Sequence, residues 1–435
     1  MSISKNMIKI AAVCSVAALG LAGCGGDKAE SGDKAASSDG PVEISYVHRL
    51  ADKTAVDKLV EQWNKENPDI QVSAEQFAGQ AQDFMPQLKQ NVADGKAACL
   101  AQVGYAELPG AFTDKLVQDV TDYVTDDVKS TYEGTIDLMS VGGKYYGIPQ
   151  DNGPLVYFYN AKAFEDLGIE VPTTADEFVA AAKKAAEAGK YIATYQTDEI
   201  GNMFAGLAVA AGGAPYEVSG DGYKVNWDSD KNIKKAADFV QKLVDDKSAL
   251  SVIRWDTTSF DAKVADGTII GSIGAAWEYG GYQTAAGDAQ KGQWKVAQLP
   301  ALGDKAATGP DGGSGVAVTA TCEYPEQAMK FNAWFNDQVD SLAASQAIVP
   351  ASTTPAATPD EAKEFFSGQD IFAEFAKANK AMGKAEFVPV WNDALKATVE
   401  TGANVPGGSA TMDDVLKATQ KKAADLLEQA GYQVK

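Results

Sequence analysis

The 435 residues hold one histidine, His48, and two arginines, Arg49 and Arg254. A single imidazole cannot build a multi-histidine zinc site, and it leaves little from which to assemble a Ser-His-Asp or Cys-His centre. Phosphate-binding loops are missing too: no G-x-x-x-x-G-K-[ST] segment occurs, and no G-x-G-x-x-G turn follows a strand. The stretch GGSG at 312–315 leads into the strand-like VAVTATC rather than into a helix, so it cradles no phosphate. Positive charge is short overall. With 60 acidic against 38 basic residues the formal net charge is −22, which argues against nucleic acid or anionic lipid as a partner, since both need clustered Lys and Arg. Solubility accounts for the surplus, and no cofactor is implied. A pair of carboxylates for glycoside hydrolysis stays open, because Asp and Glu occur throughout.

What is present is an ordinary core composition, 45% hydrophobic, in a chain long enough for two domains or one large one. At its start, Lys5 and Lys9 precede the apolar run IAAVCSVAALGL. That run falls short of the ~20 residues needed to span a bilayer and reads as a secretion signal. It ends in LAGC at 21–24, which resembles the lipobox of bacterial lipoproteins. The resemblance implies a signal peptide over 1–23, cleavage before Cys24 and a lipid on that thiol. Residues 24–40, small and polar, have the composition of a flexible tether. Of the four cysteines, Cys14 would leave with the signal. Cys99 and Cys322 then remain as an even pair in a disulfide-permissive compartment.

From Pro41 onward strands alternate with amphipathic helices. VEISYV reads as a strand. In the helix that follows, Val56, Leu59, Val60 and Trp63 share one face, and Pro68 ends the run. IQVSAEQF, a helix entered at Pro86 and the strand ACLAQVG complete β-α-β-α-β, the pattern of a parallel doubly wound sheet. A second set starts with the strand LVYFYN and a short helix. Thr174 and Glu177 then form a capping box for a helix closed by Gly189. Further helices read at NIKKAADFVQKLVDD, YPEQAMKFNAWFND and DDVLKATQKKAADLLEQAG, and VPASTTPAATPD at 349–360 reads as a connector.

Three stretches carry a resemblance: GKYYGIPQDNGPLVYFYNAKAFEDLGIEVPTTADEFVAAAKK, KVADGTIIGSIGAAWEYGGY and GGSGVAVTATCEYPEQAMKFNAWF. Together they are similar to the extracellular solute-binding proteins of family 1, the sugar-capturing subunits of ABC importers. The resemblance implies an α/β, two-lobe periplasmic-binding-protein-like fold. Each lobe would be a mostly parallel sheet flanked by helices, with a hinge crossed near 151–155, 307–313 and 350–355. The lobes would comprise 41–152 plus 310–350, and 155–306 plus 355–435. ACLAQVG and GVAVTATC would be antiparallel neighbours, which gives a Cys99–Cys322 disulfide. The implied partners are an oligosaccharide, a membrane ABC permease and the lipid at Cys24. The protein would act as a monomer on the extracytoplasmic face of the membrane, without chemistry of its own. A surface glycoside hydrolase and a receptor for a non-sugar solute are the alternatives.

A sugar presents flat C–H faces and a rim of hydroxyls. Aromatic rings suit the faces, and carboxylates and amides suit the rim. Micromolar capture needs about 8 kcal/mol in all. The family resemblance puts a stacking ring at Trp277, and Tyr279 two residues on would share its face if the segment is extended. Trp391 matches a stacking position of maltodextrin-binding relatives, where Asn392 replaces a second aromatic. Glu107 matches a sugar-binding acid of the same relatives. Loops after strand ends add His48, Arg49, Tyr105, Asn152, Gln196 and Asp198. Core packing competes for both tryptophans. Arg254 and Trp255 read as a second aromatic-cationic pair at the cleft or as a surface stack, with the surface stack preferred.

Overall fold

The computed structural model describes residues 40–79, 83–219, 222–304, 307–344 and 348–435. The expected signal peptide, lipobox and most of the tether lie outside the described residues.

A seven-stranded sheet organises the chain, in the order Ile70–Gln76, Val42–His48, Leu100–Gly104, Pro310–Val318, Gly147–Asn160 and Gly271–Ala275, with Trp294–Ala297 also paired to Gly147–Asn160. The first three strands run parallel, as the β-α-β-α-β pattern predicts. Ala193–Gln196 and Ala249–Val252 form a second parallel pair. Pairing turns antiparallel wherever Pro310–Val318 or Gly147–Asn160 takes part. The expectation of mostly parallel sheets therefore holds at the Ile70–Gln76 edge and in the Ala193–Gln196 pair, and gives way at the central strands and the Gly271–Ala275 edge.

Gly147–Asn160 is the structural spine. Its residues 147–154 pair with Pro310–Val318, and its residues 155–160 pair with Gly271–Ala275 and Trp294–Ala297. Only LVYFYN is legible as strand in the sequence, because Pro149, Gly153 and Pro154 are residue types that weaken strands. Here they are tolerated because the register shifts locally between Pro310 and Gly313, so the ladder is irregular where the prolines and glycines lie. A side chain at Gly153 would overlap the Asp311 carbonyl oxygen, which explains a glycine at that point.

Helices follow their sequence signals. Lys53–Glu66 buries Val56, Leu59, Val60 and Trp63, and Asp52 caps its first turn. Ala175–Glu187 carries the Thr174–Glu177 capping box, and Gly189 adopts φ +68 just past its end. Lys231–Asp245 and Met412–Gln429 lie where their periodicity puts them. The apolar faces form several cores. One surrounds Tyr46, Trp63, Phe331 and Phe335 beneath the parallel edge. Another gathers Phe178, Phe204, Trp227 and Trp391, and a third Phe158, Tyr279, Tyr282 and Phe375.

The strands bearing the two cysteines are antiparallel neighbours, with Leu100 opposite Val318. Cys99 precedes one and Cys322 follows the other; they are disulfide-bonded, with Cα atoms 4.3 Å apart. The bond closes a loop of 223 residues. Replacing both by serine is expected to lower the unfolding free energy by about 2–5 kcal/mol, read as a shift in the urea midpoint. Equal midpoints for the variant and the oxidised parent would show that the link adds nothing.

Candidate functional site

The central strands bring together residues far apart in sequence. Trp277 sits in the single 3-10 turn Ala276–Glu278 that follows Gly271–Ala275. Its Nε1 donates to the Asp311 carbonyl oxygen at 2.9 Å, and its indole borders Gly153 and Gly312. Gly312 and Gly313 have φ of +78 and +96, which favours glycine at both positions. A side chain at Gly313 would strike the Tyr105 ring, so this aromatic lies against the same glycine-rich crossing. Asn152 pairs across to Gly313.

Beside Trp277 stands a second indole. The rings of Trp255 and Trp277 are parallel, 8° apart in plane with centroids 6.0 Å apart. Trp255 is 55% exposed, yet it is held from several sides. Its amide donates to Asp198 Oδ2 at 3.1 Å and its Nε1 donates to Glu199. The Arg254 guanidinium lies over its ring at 4.6 Å. Arg254 itself is 4% exposed, packed over Phe260 at 4.1 Å and bonded through Nε to Glu278 Oε2 at 2.7 Å. Glu278 also accepts the Ala275 amide, which turns the chain at Trp277. The reading of Arg254 and Trp255 as a surface stack is thus corrected: the arginine is a buried clamp, and the tryptophan extends the aromatic face of Trp277.

Acid accumulates around these rings. Asp198 accepts the amides of Arg254 and Trp255. Glu199 accepts from Trp255 and Asn202, and burial, only partly offset by those bonds, raises its pKa. Asp311 is buried, and desolvation together with Glu199 and Glu278 holds its carboxyl well above the usual carboxylate range.

The facing strands contribute a second polar group. Arg49 donates twice to Glu107, at 3.2 and 3.0 Å, and Glu107 also accepts the Gly104 amide. These two expected ligand residues are paired with each other. The Arg49 amide donates to Gln102 Oε1, whose Nε2 donates to Ser314 Oγ, and that hydroxyl donates to Asp151. Burial pushes Asp151 up to about 6, against the lowering effect of Ser314. Among the described residues the Tyr105 hydroxyl and Asn152 Oδ1 are buried without a hydrogen-bond partner. Such atoms are costly to leave unsatisfied, and they mark places where ligand hydroxyls or water would be welcome.

Other expected residues lie elsewhere. Tyr279 begins the helix Tyr279–Ala286 instead of continuing an extended segment. It is fully buried, donates to the Ala343 carbonyl and packs on Phe372 and Phe375. Trp391 opens the helix Trp391–Gly402 in a cage of Tyr216, Trp227 and Phe387. Both are buried in hydrophobic clusters, and the helix start at Tyr279 turns that ring away from the Trp277 side. Gln196 is buried at the end of its strand and donates to Thr194. His48 is buried beside Tyr46 with neither ring nitrogen bonded among the described residues, and burial lowers its pKa to about 4. It is a neutral core imidazole.

Missed by sequence reasoning were Trp255, Glu199, Glu278 and Asp311. The one available signal was that Asp311 lies in GPDGG at an expected crossing.

A crossing strand shared by two groups of strands gathers these aromatic rings and polar groups, an arrangement that accords with the bacterial extracellular solute-binding proteins. The chain belongs to that family: the model for the bacterial extracellular solute-binding proteins matches residues 58–366, more than half of its length. Among solved structures it is similar to the galacto-N-biose/lacto-N-biose I-binding protein of the Bifidobacterium longum ABC transporter, in complex with lacto-N-biose. That likeness has a TM-score of 0.86 and 47% identity, over 92% of this chain and 100% of the other. The B. animalis subsp. lactis binding protein in complex with β-1,6-galactobiose shares the fold, with a TM-score of 0.75 and 24% identity over 91% of this chain and 100% of that one. A curated relative, the arabinooligosaccharide-binding protein of Halalkalibacterium halodurans, is 30% identical over 149 residues, and the match spans 33% of each chain. The α/β fold is the two-lobe one of these binding proteins.

Proposed function

We propose that this protein is an extracytoplasmic receptor, lipid-anchored through Cys24, that captures an oligosaccharide and delivers it intact to an ABC importer. The observation that carries the reading is the pair of parallel indoles, Trp255 and Trp277, set among carboxylates where the central strands meet. Rings of this kind cover the C–H faces of a sugar, and the polar rim takes its hydroxyls. The 47% identical relative bound to lacto-N-biose supports a β-galactosyl disaccharide carrying an N-acetylhexosamine as the ligand class.

Residues 41–152 with 310–350 and residues 155–306 with 355–435 would act as lobes that hinge closed on the sugar. Trp277, Trp255, Tyr105 and Asn152 would contact it, while Arg49 and Glu107 would frame the far wall as a pair. The protein performs no chemistry in this reading. Glu278 is bonded to Arg254 and Glu199 to Trp255, so neither stands free as an acid or nucleophile. Acting as a monomer, the tethered receptor keeps captured sugar near its permease at raised effective concentration.

Calorimetric titration with lacto-N-biose, galactobioses, maltodextrins and a polyamine, followed by analysis of each sugar for breakage, tests this. Saturable binding of one linkage class with the sugar intact is the expected result. Cleaved sugar would turn the reading into a hydrolase, and heat from a polyamine alone would turn it into a receptor for a cationic solute.

A further inference from the structure

The loop between the helices Ile371–Ala381 and Trp391–Gly402 is fixed near both ends. The Gly383 amide donates to the Thr308 carbonyl oxygen at 2.8 Å, and Val388 and Val390 are buried in the cluster that holds Trp227 and Trp391. Between these anchors Phe387 is half-buried. Its ring meets Trp391 edge-on, with centroids 4.9 Å apart. It also packs against a different cluster, which gathers Phe84, Tyr105, Leu108 and Ala111.

The two clusters belong to the two proposed lobes. Every other described residue in or against the Tyr105 cluster comes from 41–152 or 310–350. In return, Ala106 is the one described residue of those segments packed against the Trp391 cluster. Two more contacts join the same places. A first side-chain carbon at Gly110 would lie 3.5 Å from the Pro389 carbonyl oxygen, with no other neighbour beyond its own helix inside 4 Å. The Thr113 and Tyr432 hydroxyls are 3.4 Å apart. Ala106, Gly110 and Thr113 lie on or just before one short helix, Leu108–Thr113, and Arg49 steadies its start through Glu107.

We propose that Phe387 is a latch: it docks on the Tyr105 side when the lobes come together, and with its neighbours it holds a share of the protein closed before any sugar arrives. This deepens the carbohydrate reading and rests on it for the ligand. Phe387 is then a positioning residue. Trp277 and Trp255 meet the sugar, and the latch sets how often the opposite wall stands against them. A protein whose competent form is only partly populated binds with an affinity scaled by that fraction. A latch that touches no sugar therefore changes the affinity for all of them by one factor.

The test compares the full-length wild type with Phe387→Ala, Phe387→Leu and Gly110→Trp. The first removes the contact. Gly110→Trp leaves Phe387 in place and wedges the gap to Pro389, at a helical position where replacing glycine does not weaken the helix. Small-angle X-ray scattering without sugar reads the closed share, and calorimetry with lacto-N-biose and β-1,6-galactobiose reads the affinity. Phe387→Ala and Gly110→Trp should each show a larger radius of gyration than the wild type. Each should also bind more weakly, by about tenfold or more, and by a common factor for every sugar that the wild type binds. Phe387→Leu, still apolar at this point, should fall between the wild type and the alanine variant. Gly110→Trp should melt as the wild type does, which separates loss of closure from loss of fold.

Equal radii for the wild type and both variants would overturn the latch. So would a Gly110→Trp variant with wild-type affinity. A loss that differs between sugars would make Phe387 a direct sugar contact instead. If the wild type binds no sugar, the carbohydrate reading falls, and the sugar-free radii still decide the latch.

Discussion

Trp277→Ala is expected to weaken sugar binding by about a hundredfold or more, with little change in the unfolding midpoint. The indole is half-buried, bordered by the glycine-rich crossing and stacked beside Trp255, and a ligand would cover what remains exposed. Covering a ring of this size contributes roughly 1.5–3 kcal/mol by burial and about 0.5–1.5 kcal/mol by face contact, and about 2.7 kcal/mol is a hundredfold in affinity. Position matters as much as area. The Nε1 bond to Asp311 fixes the plane of the indole parallel to Trp255. Trp277→Phe, which keeps a ring and loses the bond, should fall between the two. Calorimetry reads the affinity, and a melting curve checks that the fold is intact. Near wild-type affinity for the Ala variant would remove this residue from the site.

Arg254→Ala is expected to be the most damaging single change to the fold, at about 3–5 kcal/mol in urea unfolding near neutral pH. Its guanidinium is enclosed by Phe260 and Tyr282, and its bonds to Glu278 join two buried side chains. Removing one partner leaves a buried carboxylate uncompensated, which costs far more than the pair contributes. The double variant Arg254→Met with Glu278→Gln removes both charges and should recover much of the loss. A single variant no less stable than the double would show that the pair carries no such burden. Arg254 also positions the site, since Trp255 rests against its guanidinium. The single variant should therefore bind sugar less well even where it remains folded.

Why some of this was legible and some was not follows from the range of the interactions. Helices announce themselves locally: Val56, Leu59, Val60 and Trp63 fall on one face by spacing alone, and Thr174 with Glu177 caps a turn three residues long. The disulfide followed from the family resemblance, through the antiparallel pairing of two strands distant in sequence. Other features depend on contacts that spacing does not encode. The first half of Gly147–Asn160 was hidden by its prolines and glycines, whose presence makes sense only against the opposing crossing strand. Tyr279 was misplaced because the Glu278 carboxylate caps the Ala275 amide and turns the chain, rotating the phenol into the core. Trp391 shows the same limit, since an aromatic next to a helix start suits a cleft and a core equally. Trp255 was passed over because an Arg-Trp pair reads as exposed until Glu278 is seen to draw the arginine inward. Asp311 is one of 60 acidic residues, and only its burial and its carbonyl bond to Trp277 set it apart.

The central claim is that sugar is held where Gly147–Asn160 and Pro310–Val318 cross, against Trp277 and Trp255. A crystal structure of the protein soaked with lacto-N-biose tests it most directly. The account predicts an intact disaccharide with a pyranose face on Trp277. Sugar bound away from both tryptophans, or found there cleaved, would contradict it.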